Sequence, residues 1–190
     1  MASKAEKLLI DNHSESSKAP PRIVFTALEL GSWTDDEELQ QMWAGLLASS
    51  CSDDGKDESN LLFTNLLSQL TVCEVRMVNH ASKTAPKVKL ETHGLIATQG
   101  RLKMSAEELI QVSGVADVHQ LDRELDHLRS LGLIHEGFSG YDSRADITPT
   151  ALALNLYVRC VGSKLPPTAY FGVDGAPVDA SAPTGDRSAS

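Results

Sequence analysis

Residues 34–48 read Thr-Asp-Asp-Glu-Glu-Leu-Gln-Gln-Met-Trp-Ala-Gly-Leu-Leu-Ala, and they decide the fold class. Leu39, Met42, Trp43, Leu46 and Leu47 fall at i, i+3, i+4, i+7 and i+8, the spacing that lines side chains along one face of an α-helix. Ahead of them, Thr34-Asp35-Asp36-Glu37 has the form of a capping box with an acidic first turn. Such a start satisfies the free N–H groups of the helix and complements its dipole. Burying five side chains of this kind is worth roughly 1.5–3 kcal/mol each before entropy is charged, so the face must pack against other elements.

The obvious neighbour lies just upstream. Ile23, Ala27 and Leu30, with Val24 and Leu28, give an apolar stripe over Arg22 to Gly31, and Gly31 reads as a stop. Downstream, a polar loop from Ser49 to Asp57 leads to Leu62, Leu66, Leu67 and Leu70. A second capping box, Thr71 with Glu74, then restarts the helix through Ala81. Periodicity fades from Ser82 to Gly100, where a Val88/Leu90 alternation fits a short strand or a plain connector. A third capping box, Ser105 with Glu108, opens a helix that Gly114 closes, and Asp117 caps a longer one carrying Leu121, Leu125, Leu128 and Leu131. Leu133-Ile134 and Ala145 to Thr148 read as the two strands of a hairpin around Glu136 to Tyr141, and Thr148-Pro149 as the start of a last helix through Leu152, Leu156, Tyr157 and Cys160.

Strand, helix, turn, helix and hairpin in that order spell a winged helix-turn-helix. The expectation is therefore a mainly α protein with a helical N-terminal subdomain at 20–81 and a winged-helix-like C-terminal subdomain at 101–161. A flexible arm at 1–19, a connector at 82–100 and a disordered, Pro/Gly/Ala/Ser-rich tail at 162–190 complete the plan.

Charge and composition narrow the function. The chain carries a net charge of −9, which opposes general polyphosphate binding and disfavours a nucleic-acid partner. Between Thr34 and Glu58 stand Asp35, Asp36, Glu37, Glu38, Asp53, Asp54, Asp57 and Glu58 against Lys56 alone, so most of that charge sits in one segment. No apolar run approaches the ~20 residues of a membrane span, Met1 to Ile10 lacks a secretory h-region, and Ala2 excludes N-myristoylation, so a cytoplasmic location is expected. Cys51, Cys73 and Cys160, odd in number and widely spaced, fit reduced structural thiols.

No catalytic motif occurs: there is no G-x-S-x-G, Walker loop, G-x-G-x-x-G or H-E-x-x-H. Histidines 80, 93, 119, 127 and 135 lack ligand spacing and read as dispersed surface residues. Ser52-Asp53-Asp54-Gly55-Lys56-Asp57 fails as a calcium loop, because placing Gly55 sixth puts Ser50 first and Leu61 twelfth. Neither enzyme activity, nor a cofactor, nor a metal is expected. Two surfaces remain as candidates. Trp33 with Asp35, Asp36, Glu37 and Glu38 is a candidate protein contact, Trp43 being better placed for the core. Lys83, Lys87, Lys89, Arg101 and Lys103, set against Glu91, form a basic stretch that suits an anionic partner, to which Arg123 and Arg129 of the would-be recognition helix are added. That helix also carries Asp117, Asp122, Glu124 and Asp126, which argues against DNA.

The Thr34 to Ala48 segment, with its acidic start running into Trp-Ala-x-Leu-Leu, resembles the abortive infection alpha family. The resemblance continues through the Leu-rich helix at Asn60 to Thr71 and through Leu131-Gly132-Leu133-Ile134, Ile147-Thr148 and the closing helix, covering about residues 20–161. It implies a setting of anti-phage defence and supplies no catalytic residues. The expected function is thus a non-enzymatic interaction protein of abortive infection acting through another protein, with self-association left open. The rival readings are a winged-helix transcription regulator and an uncatalogued nuclease or hydrolase.

Overall fold

The computed structural model describes residues 18–140 and 142–174. The flexibility expected of residues 1–17 and the disorder expected of 175–190 lie outside the described residues. Among the described residues the chain forms eight helices and five short strands.

Helix α1 (Pro21–Ser32) starts on a proline at its first position, where the missing N–H costs no hydrogen bond. Gly31 does not stop it: the residue is buried inside the last turn, and Trp33 forms the C-cap. Helix α2 (Glu37–Ser49) packs against α1 and buries Leu39, Met42, Trp43 and Leu46. Its cap is Asp36, not Thr34. The Asp36 carboxylate accepts the Leu39 N–H at 3.0 Å, while the Thr34 carbonyl is occupied by the Gln40 amide at 2.7 Å. A carboxylate close to the first free amides outcompetes a hydroxyl two residues further back.

After a loop held by Asn60, which donates to the Ser49 and Ser50 hydroxyls, comes the short α3 (Leu61–Leu67). Helix α4 (Val72–Thr84) opens on the Thr71/Glu74 capping box, with both reciprocal hydrogen bonds present. The uncertain connector is a hairpin of β1 (Lys87–Lys89) and β2 (Ile96–Thr98), paired antiparallel with Lys87 opposite Thr98.

Strand β3 (Lys103–Ser105), α5 (Ala106–Ser113), α6 (Val118–Ser130), β4 (Gly137–Ser139) and β5 (Asp142–Asp146) follow in that order. They make an antiparallel sheet of order β3-β5-β4, with Met104 opposite Ala145. The Ser105/Glu108 capping box is present, and Gly114 at φ 78° closes α5. The hairpin sits off the sequence reading. Leu133 and Ile134 are not a strand: Gly132, at φ 70°, turns the chain out of α6, and both apolar side chains plug the core. Only Ile134 makes a bridge, to Pro149. β5 in turn ends at Asp146, whose carboxylate accepts the Thr148 N–H and turns the backbone out of the ladder. Helix α7 (Ala151–Cys160) starts two residues later than expected, because Thr150 is its cap. The Thr150 hydroxyl accepts the Ala153 N–H and donates to the Gly132 carbonyl at 2.6 Å.

One hydrophobic cluster runs from Ala27 through Trp43, Met77, Leu109, Leu125 and Ile147 to Cys160, so both halves of the chain share a core. Helix α4 is the link, packing on α2 and α7 as well as on α5 and α6. The composition beyond Gly162 predicts disorder, but the described part is folded. Pro166-Pro167 presets the start of α8 (Pro167–Tyr170), and Tyr170 and Phe171 cluster with Tyr157 of α7.

Candidate protein-contact surface

Ile23, Ala27 and Gly31, four residues apart along α1, turn inward, and the small side chains at 27 and 31 let the helix sit close to its neighbours. Phe25 then lies about 160° round the helix from that buried line. It is 68% exposed, Leu28 at 36% shares its side, and Trp33 is 85% exposed at the C-cap. Phe25 to Trp33 spans about 12 Å along the axis at 1.5 Å per residue. The exposed Glu29 lies among them. Three large apolar groups thus face solvent along one helix. The sequence reading placed Leu28 on the inner stripe and passed over Phe25, although its position opposite Ile23 and Ala27 was the available signal.

The acidic candidates divide. Asp35 and Glu37 are exposed beside Trp33. Asp36 and Glu38 face α4 instead: Asp36 pairs with Arg76 at 2.8 Å, and Glu38 accepts from the Asn79 amide at 2.6 Å. Partial burial opposes ionisation of Asp36, but the Leu39 N–H and the Arg76 guanidinium outweigh it and hold the carboxyl below its usual range. Arg76 also donates to the Ser113 carbonyl at 3.3 Å, so this pair ties α2, α4 and α5 together.

The basic candidates do not gather into one patch: only Lys87 and Lys89, on one side of β1, and Lys83, whose carbonyl accepts from the Lys87 ammonium at 3.1 Å, lie together. Lys83 lines an open cleft of about 470 Å³ with Glu38, Arg76, Asn79 and His80. Lys87 points its ammonium at the Phe171 ring, 4.7 Å from the centroid, and burial lowers its pKa. Lys89 pairs with Asp174 at 2.9 Å, Lys103 with Asp142, and Arg129 with Asp126 at 2.8 Å. Arg123 is exposed on α6. Arg101 bridges Glu136 at 3.0 Å and the buried Asp146 at 3.2 Å beside a cleft of about 330 Å³ that His135 and Thr148 also line. Asp146 accepts from the Thr148 N–H, the Thr148 hydroxyl and Arg101, bonds that hold the end of the hairpin.

The titratable groups in the interior serve packing. Glu74 is fully buried on α4, where its carboxylate caps Thr71 at 2.8 Å and meets His127 Nδ1 of α6 at 2.6 Å. Burial raises its pKa, against the opposing pull of the Thr71 N–H and His127. His127 is therefore not one of the dispersed surface histidines but a strut between two helices. Burial also raises the thiols of Cys51, Cys73 (to about 11) and Cys160, which keeps them protonated and poor nucleophiles at neutral pH. Among the described residues no three His, Cys, Asp or Glu side chains gather as a metal site, and no helix is long and apolar enough to cross a membrane.

With these elements placed, the family model for abortive infection alpha matches residues 1–153. The chain belongs to the abortive infection alpha family. The match takes in the 34–48 helix that carries the resemblance and ends inside α7, short of Cys160, so α8 lies beyond it. In this abortive infection alpha protein the Trp-Ala-x-Leu-Leu residues are structural: Trp43, Ala44 and Leu46 are buried, and Gly45 lies against the backbone of α7. No curated protein and no solved structure matches the chain.

Proposed function

We propose that this protein serves abortive-infection defence as a non-enzymatic contact module, and that the outer face of α1 with Trp33, Asp35 and Glu37 is where it grips another protein. Family membership supports the setting. The observation that carries the mode of action is the exposure of Phe25, Leu28 and Trp33 on a single helix face, since large aromatics left in water at such a cost are the usual anchors of an interface. The acidic rim of Glu29, Asp35 and Glu37 suits a partner whose apolar patch is edged with lysine or arginine.

The order β3-α5-α6-β4-β5 and the β3-β5-β4 sheet support reading residues 72–146 as a winged helix, with α4 as its first helix. As a DNA reader it would be poorly equipped. On the outer face of α6, Asp122 and Asp126 accompany Arg123 and Arg129, and Asp126 already pairs with Arg129. We therefore assign it a scaffolding part, with cytoplasmic action. The test is phage challenge of cells carrying the wild-type chain or the Phe25→Ser/Leu28→Ser/Trp33→Ser triple variant. The variant should keep the wild-type thermal midpoint and lose protection. Full protection by the folded variant, or duplex-DNA binding that Arg123→Ala/Arg129→Ala removes, would overturn the proposal.

A further inference from the structure

Beyond Cys160 the chain doubles back. Gly162, at φ 87°, turns it out of α7, and Pro166-Pro167 leads it into α8. From there three groups reach neighbouring elements. Phe171 stacks on Tyr157 of α7 with ring centroids 6.0 Å apart, and Tyr170 meets the same ring edge-on at 6.2 Å. The Lys87 ammonium of β1 sits over the ring of Phe171. Three residues on, Asp174 pairs with Lys89 of the same strand. Lys87 and Lys89 are i and i+2 on β1, so their side chains lie on one side of the hairpin. An aromatic pair followed by a carboxylate three positions after the second ring is thus the complement of a surface made by Tyr157, Lys87 and Lys89.

We infer that this surface is a docking site for a partner protein's segment bearing an aromatic pair and an acid three residues on, and that the strap 165–174 is its built-in competitor. The strap is made to let go. Its helix is a single turn of four residues, too short to hold itself without its contacts. Its ion pair, Lys89 to Asp174, is solvated on both sides, so water readily replaces it when the strap opens. Leu165, at the hinge, is exposed, and Tyr170 stays partly exposed even when seated. The surface beneath, by contrast, rests on α7 and β1, which stay held without the strap: Tyr157 belongs to a ten-residue helix with Leu154, Leu156 and Val158 in the core, and β1 is paired along its length with β2. The strap also lies beyond the residues matched by the family model, so its removal leaves the family portion of the chain intact. This surface is separate from the α1 face, and the inference stands whichever partner that face takes.

A partner segment competes with the strap for the same contacts, so its apparent affinity falls by the fraction of molecules whose strap is open. The probe is the strap itself, a fluorescein-labelled peptide of residues 165–174, titrated by anisotropy against the full chain. The Tyr170→Ala/Phe171→Ala/Asp174→Ala variant, whose strap has lost its three anchors, should bind the peptide about tenfold or more tightly than wild type does. Adding Lys87→Ala and Lys89→Ala should weaken that binding, and a scrambled peptide should not bind. The single Asp174→Lys change, at an exposed position outside the core, should raise affinity in the same direction and guards against misfolding of the triple variant. Equal binding to wild type and both strap variants, or no preference over the scrambled peptide, would overturn the inference. So would a wild-type dimer that excess peptide dissociates, since that result assigns the surface to strap exchange between two copies.

Discussion

Replacing Gly45 with alanine gives the sharpest test of how the fold is closed. A Cβ at this position would lie 1.9 Å from the Cys160 carbonyl oxygen, 2.6 Å from its carbon and 2.9 Å from the Gly162 nitrogen. All three are backbone atoms, so no rotamer change relieves the overlap. Restoring ordinary contact requires α2 and α7 to separate by about 1.5 Å, which pulls Trp43 and Leu46 away from their packing in a core dense enough that gaps of this size forfeit much of the contact energy. Overpacking a core with one methyl costs about 1–3 kcal/mol where side chains yield, so Gly45→Ala belongs at or above the top of that range, about 3 kcal/mol or more. For a domain whose whole stability is about 5–15 kcal/mol this is a large fraction. Urea unfolding followed by the fluorescence of the buried Trp43, in a Trp33→Phe background, measures it directly. Gly140→Ala is the control, since nothing stands within 4 Å of its would-be Cβ and its φ is not in the left-handed region. A Gly45→Ala loss no larger than that of Gly140→Ala would refute the close approach of α2 and α7.

Three further substitutions probe the cap and the buried carboxylate. Asp36→Ala should cost about 1–2 kcal/mol through the lost cap, whereas Thr34→Ala should cost a few tenths at most; equal losses in denaturant melts would return the cap to Thr34. Because the Asp36 pKa is depressed on folding, its contribution is present above the unfolded-state pKa and lost as pH falls through the folded one, so the Asp36→Ala deficit should shrink in acid. Glu74 has the opposite sign. Its pKa is raised on folding, so the wild type loses stability as pH climbs from the unfolded carboxyl range through the folded value. Glu74→Gln, which keeps an acceptor for the Thr71 N–H, should therefore gain on wild type in thermal melts as pH rises above the unfolded carboxyl range, and parallel pH profiles would contradict the burial of an ionisable group there.

The helices were legible because their signals are local. The capping boxes at Thr71/Glu74 and Ser105/Glu108 need residues three apart, and both form as read. What stayed hidden depends on distant partners. Asp36 wins the α2 cap in part because Arg76, forty residues on, steadies it. Leu133 and Ile134 look like a strand by composition, yet the turn at Gly132 sends them into the core. The basic stretch reads as a patch on paper, but its members lie on α4, β1, β3 and the segment just before β3, and acids from elsewhere in the chain meet several of them, Asp174 at Lys89 and Asp146 at Arg101 among them. Phe25 and the strap show the same limit in reverse. A helical stripe says which side is buried, and only the neighbours decide whether an aromatic on the other side is covered.

The distribution of paired and unpaired charge also bears on the kind of partner proposed for the α1 face. Arg76, Lys89, Arg101, Lys103, Arg129 and Arg144 each meet a carboxylate within the chain, which reduces the positive surface that a phosphate backbone would need. The surplus of −9 must then reside in acids that these bases do not neutralise, and Glu29 and Asp35 are exposed beside the bare Phe25, Leu28 and Trp33. Two copies of this chain meeting through that face would bring acidic rims together, a like-charge juxtaposition that costs affinity, whereas a partner with a basic rim gains from the same field both in encounter rate and in register. If the α1 face is the contact proposed, its acidic border would work against both self-association and nucleic acid. Charge reversal at Glu29 and Asp35 should accordingly weaken the contact chiefly through the association rate, and more so at low salt than at high, while Trp33→Ser should act mainly on dissociation.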